Sequence, residues 1–204
     1  MGGKTNPDTY ERNIEMIKSS DRVVTNAPKQ YIKQLGLTCG ETNAKTIIQG
    51  FGKSFQPLNN LPLRTRLFGF SYIQDIQRLL EINGLSSTIQ YATQLTDGEK
   101  LRTIMNHIDR NEPVLLAIGN GYIRRGIYWS LARYIAGHYI TVYGYNKENQ
   151  IFYIYDSMLE GDYEGEIPVG NEIRTFSQLL RDWQGPIYYK LIKMKHIYLS
   201  VSNH

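Results

Sequence analysis

The sequence predicts an α+β fold in which N-terminal helices pack on a mainly antiparallel sheet. Two patterns support this prediction. In the first half of the chain, apolar residues recur on one helical face over residues 70–80 and again over residues 97–111. In the second half, the strand-like runs 138–145 and 150–155 flank a polar turn, which is typical of a β-hairpin. Helices therefore come first along the chain and the sheet follows.

The other elements follow from apolar periodicity and from the residues that punctuate it. A helix is predicted to begin at Cys39 and to end near Gly50 and Gly52. The shorter signals are a strand at 88–92, a buried strand at 113–118, a partly helical segment at 119–137, a short helix at 176–183 and a β-rich stretch at 188–201. Within the first hairpin strand, strict alternation predicts one face with Ile140, Val142 and Gly144 and a second face with Tyr139, Thr141, Tyr143 and Tyr145.

Length and composition limit the classes of protein to consider. The 204 residues suit an N-terminal arm over residues 1–29 and one domain over residues 30–204. A hydrophobic content of 41% and a charged content of 21% are ordinary for a soluble globular protein. The net charge of +4 is mild and its basic residues are dispersed, so no nucleic-acid partner is expected. With neither a signal peptide nor an apolar run of membrane-spanning length, a cytoplasmic protein with no membrane association is predicted.

Cys39 is the only cysteine, which excludes an internal disulfide and a cysteine-based zinc site; no metal or cofactor is expected. Thr38 and Glu41 match a capping box, which places Cys39 at the first position of a helix. That position favours a thiolate, although the charge of Glu41 opposes it. A lone cysteine is equally compatible with a small buried apolar residue.

A cysteine nucleophile needs a base, and four histidines are candidates. His107 falls on the polar side of a predicted helix and is expected to be solvated, His196 lies among lysines in the C-terminal strand, and His204 ends the chain. His138 is the best placed, because it opens a strand directly after Gly137, at the rim of the predicted sheet.

Asp156 ends the return strand of the hairpin that His138 begins. The start of the first hairpin strand lies beside the end of the second, so the carboxylate is expected to be close enough to orient the imidazole. An aspartate at a strand end also commonly caps its own turn, and that alternative stays open.

The order of these residues resembles the papain-like cysteine peptidases, most closely the C39-like branch of bacteriocin-processing peptidases that cut after a double glycine. The resemblance covers roughly residues 30–192. The matching segments are Gln34 before Cys39-Gly40, Gly50-Phe51-Gly52, Phe70 to Ile76, Ile108 to Val114, Gly137 to Tyr145, Tyr155-Asp156-Ser157 and Phe176 to Trp183. It implies a papain-like fold with helices packed on a mainly antiparallel sheet. Polar residues after Cys39-Gly40 depart from the usual family pattern.

The resemblance implies a role for each matched residue. Cys39 would be the nucleophile, His138 the general base and then acid, and Asp156 the residue that orients His138. Gln34 would donate its side-chain amide to the oxyanion together with the Cys39 backbone N–H; a surface role for Gln34 is the alternative.

Segment 119–137 precedes His138 and mixes tyrosine, tryptophan and arginine between glycines. Such a composition suits a contact surface, and we expect Tyr128, Trp129 and Gly137 to bind substrate. A tyrosine-rich surface loop with no binding role is the alternative.

The predicted activity is that of a thiol hydrolase, a cysteine peptidase that cleaves a peptide or isopeptide bond in a peptide or protein substrate through an acyl-enzyme. The same three residues would also serve an acyltransferase or transglutaminase-like enzyme. A catalytically inactive binding module on the same fold is the third hypothesis, favoured by Glu41 and by segment 119–137. The sequence holds no ATP-binding or membrane-spanning segment of the kind found in transporter-linked family members, so a role in bacteriocin export is not expected.

Overall fold

The computed structural model describes residues 20–58, 71–124, 127–159 and 170–203. Most of the predicted N-terminal arm and His204 lie outside these ranges. The helices are α1 Cys39–Gly50, α2 Ile73–Ile82, α3 Asp97–Asp109, α4 Phe176–Asp182 and α5 Ile187–Leu191. The strands are β1 Asp21–Val23, β2 Leu85–Tyr91, β3 Val114–Gly119, β4 Tyr122–Arg124, β5 Ile127–Tyr128, β6 Gly137–Asn146, β7 Ile151–Tyr155, β8 Glu172–Thr175 and β9 Ile197–Asn203.

The main sheet has the strand order β2-β9-β3-β6-β7-β8, and β1 adds a short pairing to the far end of β6. Every pairing in it is antiparallel. The N-terminal helices α1 and α2 pack on this sheet through contacts with β6 and β2. The predicted α+β class is therefore confirmed. None of the helices in the described ranges is long and apolar enough to cross a bilayer.

The central strands β3 and β7 are buried along their whole length, and β6 is buried beyond its first residue. Two buried isoleucines of α1, Ile47 and Ile48, join the same apolar core as Ile76 and Leu80 of α2. Burial of this apolar surface holds the start of α1 against the sheet, beside the start of β6.

Strand β6 contains a β-bulge that strict alternation did not predict. Val142 pairs with Ile154 but Gly144 pairs with Tyr153, so Tyr143 is an extra residue on this strand. Before the bulge, Thr141 bonds to Asn43 of α1; after it, the Tyr145 hydroxyl donates to Asp109 of α3 over 2.7 Å. The prediction that the four alternate residues of β6 share one face is therefore wrong beyond the bulge.

Segment 119–137 does not contain the amphipathic helix that the spacing of its apolar residues predicts for part of it. Strands β4 and β5 form a small hairpin, and only a single 3-10 turn, Ala132–Tyr134, follows it. The side chain of Asn120 begins the hairpin by exchanging hydrogen bonds with the backbone of Tyr122 at 3.0 Å. Ile127, Leu131 and Ile135 stay exposed, so no apolar face is buried to support a longer helix.

The β-rich stretch at 188–201 divides into two elements. Pro186 precedes the short helix α5, and only Ile197–Asn203 forms a strand. Burial of Tyr189 beneath this helix overrides the strand propensity of its aromatic residues. The predicted helix at 176–183 is confirmed as α4.

Candidate active site

Cys39 is the first residue of α1 and its side chain is partly exposed. The helix begins where it was predicted, but the capping box does not form. The Thr38 hydroxyl turns back and donates to the Leu35 carbonyl over 2.9 Å, and it makes no capping bond to the helix. The first N–H groups of a helix have no hydrogen-bond partner within that helix. The backbone N–H of Cys39 is one of them, so it is not used by the hydrogen bonds of α1.

The surroundings of the thiol favour its ionised form. Burial raises the pKa of Cys39, but the charge and hydrogen bond of His138 and the backbone N–H of Tyr139 together bring it below the ordinary value of 9.0. The charge of Asp156 acts in the opposite direction. The thiol pKa is thus lowered even with Glu41 two residues away.

His138 stands at the start of β6 and is 3% exposed. Its Nε2 lies 2.7 Å from Oδ1 of Asp156, so Nδ1 is the ring nitrogen that this contact leaves unused. Burial lowers the pKa of His138, but the Asp156 carboxylate and the Cys39 thiolate raise it to about 10. With this pKa the imidazole is protonated near neutral pH, with the Asp156 carboxylate and the Cys39 thiol as its neighbours.

Asp156 follows β7 directly and is completely buried. Its Oδ1 also accepts from the Met158 N–H at 2.9 Å, and its Oδ2 accepts from Nη2 of Arg174 at 3.1 Å. Burial raises the pKa of this carboxyl, but His138, Arg174 and the Met158 N–H lower it by more than burial raises it. The pKa of Asp156 is therefore below the ordinary value. The two expectations for Asp156 both hold geometrically, since it contacts His138 and also caps its own turn.

Asn43 is a site residue that the sequence reasoning missed. It is completely buried on α1, one turn after Cys39. Its amide nitrogen donates to the carbonyls of Cys39 and Tyr139, each over 2.9 Å, and its oxygen accepts from the Thr141 hydroxyl over 2.8 Å. These bonds join the cysteine helix to the histidine strand. A polar residue four positions after Cys39, on the helix face that also carries Ile47, was the available signal.

Gln34 lies against the residue that follows Asp156. Its Oε1 accepts from the Ser157 hydroxyl at 2.8 Å, and its backbone N–H donates to the Ser157 carbonyl at 3.1 Å. Its amide nitrogen donates to the Gly36 carbonyl at 2.8 Å and carries a second N–H that this bond does not use.

Of the three expected substrate contacts, Gly137 is the one that adjoins the site. A Cβ atom there would lie 2.5 Å from the hydroxyls of both Tyr188 and Tyr189. Burial raises the pKa of both tyrosines, and the charge of Cys39 adds to this rise. These tyrosines were missed because their stretch was predicted as strand. They place the short helix α5 beside the thiol.

Tyr128 and Trp129 lie on and after β5. The Tyr128 hydroxyl donates to Oδ1 of Asp182 over 2.8 Å, and the Arg181 guanidinium lies 5.0 Å from its ring. The Trp129 side chain is 49% exposed. Within the described part of the chain, the Tyr128 side chain contacts α4 and the Tyr122 ring, and no contact with Cys39 is seen.

The other histidines have structural surroundings. His107 is buried, with Nδ1 2.6 Å from Oε2 of Glu112, so the prediction that it is solvated is wrong. His196 is buried against Trp183 just before β9, and burial lowers its pKa to about 4. Among the residues that the structure describes, no group of three or more histidine, cysteine or acidic side chains is arranged to hold a metal ion.

Comparison with known proteins adds a family and a fold. The sequence model of the Peptidase_C39 like family matches residues 29–185. The fold is similar to a double glycine motif protease from an AMS/PCAT transporter, solved with its leader peptide (TM-score 0.50, 13% identity, 89% of this chain and 98% of that chain). It is also similar to a Bacillus anthracis protein described as a C39-like peptidase (TM-score 0.54, 12% identity, 90% and 98%). No curated protein sequence matches the chain significantly. At these identities the two structures show a shared fold.

Proposed function

The chain belongs to the Peptidase_C39 like family of cysteine peptidases, and from that premise we propose that Cys39, His138 and Asp156 hydrolyse a peptide or isopeptide bond. The observation that supports this proposal is the buried 2.7 Å contact between the His138 imidazole and the Asp156 carboxylate, next to a Cys39 thiol whose pKa His138 lowers. Each of these three residues shifts the pKa of its neighbour toward the charged form. This is the arrangement that an activated thiol nucleophile requires.

In the first half of the reaction, the Cys39 thiolate attacks the carbonyl carbon of the scissile bond. A C–S bond forms and the carbonyl electron pair moves onto oxygen. When this tetrahedral species collapses, the C–N bond breaks and the His138 imidazolium gives its Nδ1 proton to the departing amine. The products of this half are a free amine and a thioester on Cys39.

In the second half, neutral His138 takes a proton from a water molecule, whose oxygen attacks the thioester carbonyl. Collapse breaks the C–S bond and returns the thiolate, the imidazolium and a free carboxylic acid. Asp156 keeps its charge throughout, because its role is to orient the ring and to stabilise the imidazolium.

The oxyanion needs hydrogen-bond donors that are already in place. The Cys39 backbone N–H, at the start of α1, is one such donor. We assign the second to Gln34, whose anchorage on Ser157 supports this role. Loss of one such donor costs about 3 kcal/mol of transition-state stabilisation, or about a hundredfold in rate.

The substrate class proposed is a peptide or an unfolded segment of a protein. A similar fold has been solved as a protease holding a leader peptide. Gly137 is proposed as a substrate contact because it directly precedes His138 and lies beside the Tyr188 hydroxyl. Tyr128 and Trp129 precede Gly137 in the chain, on and just after β5, and are proposed as peripheral contacts.

The decisive experiment compares wild type with Cys39→Ala on a mixed peptide library, with new chain termini identified by mass spectrometry. Wild type should produce termini that the variant produces about a thousandfold more slowly or not at all. Circular dichroism should show the same folded state, because the substitution removes one sulfur atom. Equal cleavage by the folded variant would refute the proposal.

The alternative hypotheses give different results in two companion measurements. A hydrolase releases free carboxylates even with an added amine such as glycinamide, whereas an acyltransferase gives mainly amide products. Iodoacetamide should alkylate Cys39 faster than a free thiol at about pH 7, and His138→Ala should abolish the excess rate. An ordinary rate in both proteins would indicate a binding module.

A further inference from the structure

Arg174 is the most buried cation in the described part of the structure, and several carboxylates contact it. It lies on β8, is 1% exposed, and contacts three acidic side chains. Its Nη2 lies 3.1 Å from Oδ2 of Asp156 and 3.4 Å from Oε2 of Glu172, and its Nη1 lies 3.4 Å from Oδ2 of Asp182. A buried guanidinium is costly to desolvate, and these carboxylates offset that cost.

The two carboxylate oxygens of Asp156 have different partners, and this arrangement indicates a function for Arg174. One carboxylate oxygen, Oδ1, accepts from His138 and from the Met158 N–H. The other, Oδ2, accepts from Arg174. A carboxylate held at both oxygens has one orientation, and that orientation aims Oδ1 at the imidazole.

We propose that Arg174 is a positioning residue of the active site, which holds the buried Asp156 carboxylate ionised and turned toward His138. The proposal rests on the triad assigned above and extends it by one residue. Arg174 does not touch substrate. It acts through Asp156, as Asp156 acts through His138.

The guanidinium is itself fixed from several elements. Glu172 of β8 and Asp182 of α4 bind it from one side, and the Tyr122 ring of β4 lies 5.0 Å from it. Asp182 in turn accepts the Tyr128 hydroxyl of β5 at 2.8 Å. The titratable groups facing Arg174 are therefore Asp156, Glu172, Asp182 and Tyr122, with Tyr128 and Arg181 behind Asp182.

Charge makes the proposal testable. Without the cation, the charge of an ionised Asp156 acts on the Cys39 thiolate with less positive charge nearby, so the thiol ionises at higher pH. If Asp156 instead takes up a proton, His138 loses the charge that stabilises its imidazolium and gives up its proton at lower pH, and the thiol, left without that cation, again ionises at higher pH. In both cases the acid limb of the pH profile of Cys39 reactivity moves to higher pH.

The experiment measures iodoacetamide alkylation of Cys39 across pH, together with kcat/KM on a peptide cleaved by wild type. Arg174→Gln should move the acid limb of both profiles upward by about one pH unit, which is about tenfold in rate below the limb. Arg174→Lys, which keeps the charge but not the planar fork, should restore the limb and leave kcat lowered several-fold.

Arg181→Gln is the matched control. Arg181 is also a guanidinium beside Asp182, with its Nε 3.5 Å from Oδ1, but it has no bond to Asp156. Its variant should keep the wild-type acid limb. A folded Arg174→Gln variant with an unmoved limb would overturn the proposal, and so would an equal shift in Arg181→Gln.

If Arg174→Gln does not fold, the lysine variant decides, because unchanged kcat in Arg174→Lys would refute positioning by the fork. The two proposals fail separately. Turnover by Cys39→Ala would refute the peptidase mechanism, whereas the alkylation profile needs no substrate and still reports whether Arg174 controls the thiol.

Discussion

The imidazole of His138 is held at Nε2 by Asp156, and its charge lowers the pKa of the Cys39 thiol. The contact with Asp156 orients the ring. Its neighbour along the chain, Gly137, contributes by having no side chain, because α5 approaches the backbone closely at that point.

Gly137→Ala should therefore destabilise the fold and slow the thiol. The new Cβ would lie 2.5 Å from the hydroxyls of Tyr188 and Tyr189, and the buried Tyr189 has little room to move. We expect a loss of about 1–3 kcal/mol in urea unfolding, as for overpacking elsewhere, and slower alkylation of Cys39.

Gly98→Ala is the control for that substitution. Its Cβ would meet only the end of Arg102, at 3.7 Å, in the first turn of α3. It should be neutral or stabilising by about 0.5 kcal/mol. Unchanged stability in Gly137→Ala would show that α5 does not need the close approach.

Among the elements, α1 and β6 carry Cys39 and His138, the two side chains proposed to react, and Asn43 forms a polar link between these elements. Apolar packing brings a helix to a sheet but allows it to slide, whereas a buried amide with several partners permits one register. The relative placement of Cys39 and His138 thus depends on a residue that performs no chemistry.

Asn43→Ala should cost about 2–4 kcal/mol, because it leaves the Tyr139 carbonyl and the Thr141 hydroxyl buried without a partner. Urea unfolding measures this loss. Alkylation of the folded fraction at about pH 7 should slow toward the rate of an ordinary thiol.

The matched control is Asn83→Ala, at the end of α2. Asn83 is also buried and exchanges hydrogen bonds with Gln56 and the Leu79 carbonyl, but it has no contact with the site. It should lose similar stability with unchanged alkylation. If Asn43→Ala keeps the wild-type alkylation rate, packing alone is enough to position α1.

Periodicity predicted the elements whose pattern is local. The Cys39 helix, α3, α4 and the β6–β7 hairpin are present close to their predicted bounds. The hairpin also brought His138 and Asp156 together as expected, because a turn fixes which strand ends meet. The pattern failed over Ile187–Leu191, where burial of the Tyr189 side chain overrode the strand propensity of the segment.

The supporting residues of the site were beyond local pattern. Arg174 meets Asp156 from 18 positions away, and Asn43 meets Tyr139 from 96 positions away. Neither contact produces a pattern of fixed residue spacing in the sequence. A buried charge or amide becomes visible only once the packing of β8 or α1 is known.

At the scale of the whole molecule, the ion pair links stability to pH. From about pH 6.5 to about 10, the folded chain keeps a His138 proton that the unfolded chain has lost, so this contribution falls as pH rises. Cys39 acts in the opposite direction, because its folded thiol loses its proton below 9.0 and its contribution grows with pH up to that value. In wild type the two contributions oppose each other.

Cys39→Ala leaves only the histidine contribution, which Asp156 still sustains. Its free energy of unfolding should fall between about pH 6.5 and about pH 8.5 more steeply than that of wild type, by at most about 1.4 kcal/mol per pH unit. Urea unfolding at several pH values measures both slopes. The double variant Cys39→Ala/His138→Ala should lose the extra slope, and parallel slopes for wild type and Cys39→Ala would contradict the linkage.

Because of the bulge at Tyr143, the hairpin depends on the number of residues in β6 as well as on their types. Removing this one residue would restore plain alternation and turn one half of β6 over relative to the other. Either Thr141 would lose Asn43 or Tyr145 would lose Asp109. Homologous or designed chains that share this site should therefore be aligned by counting from His138 to the turn, since a single gap there would uncouple the histidine end of the strand from its anchor.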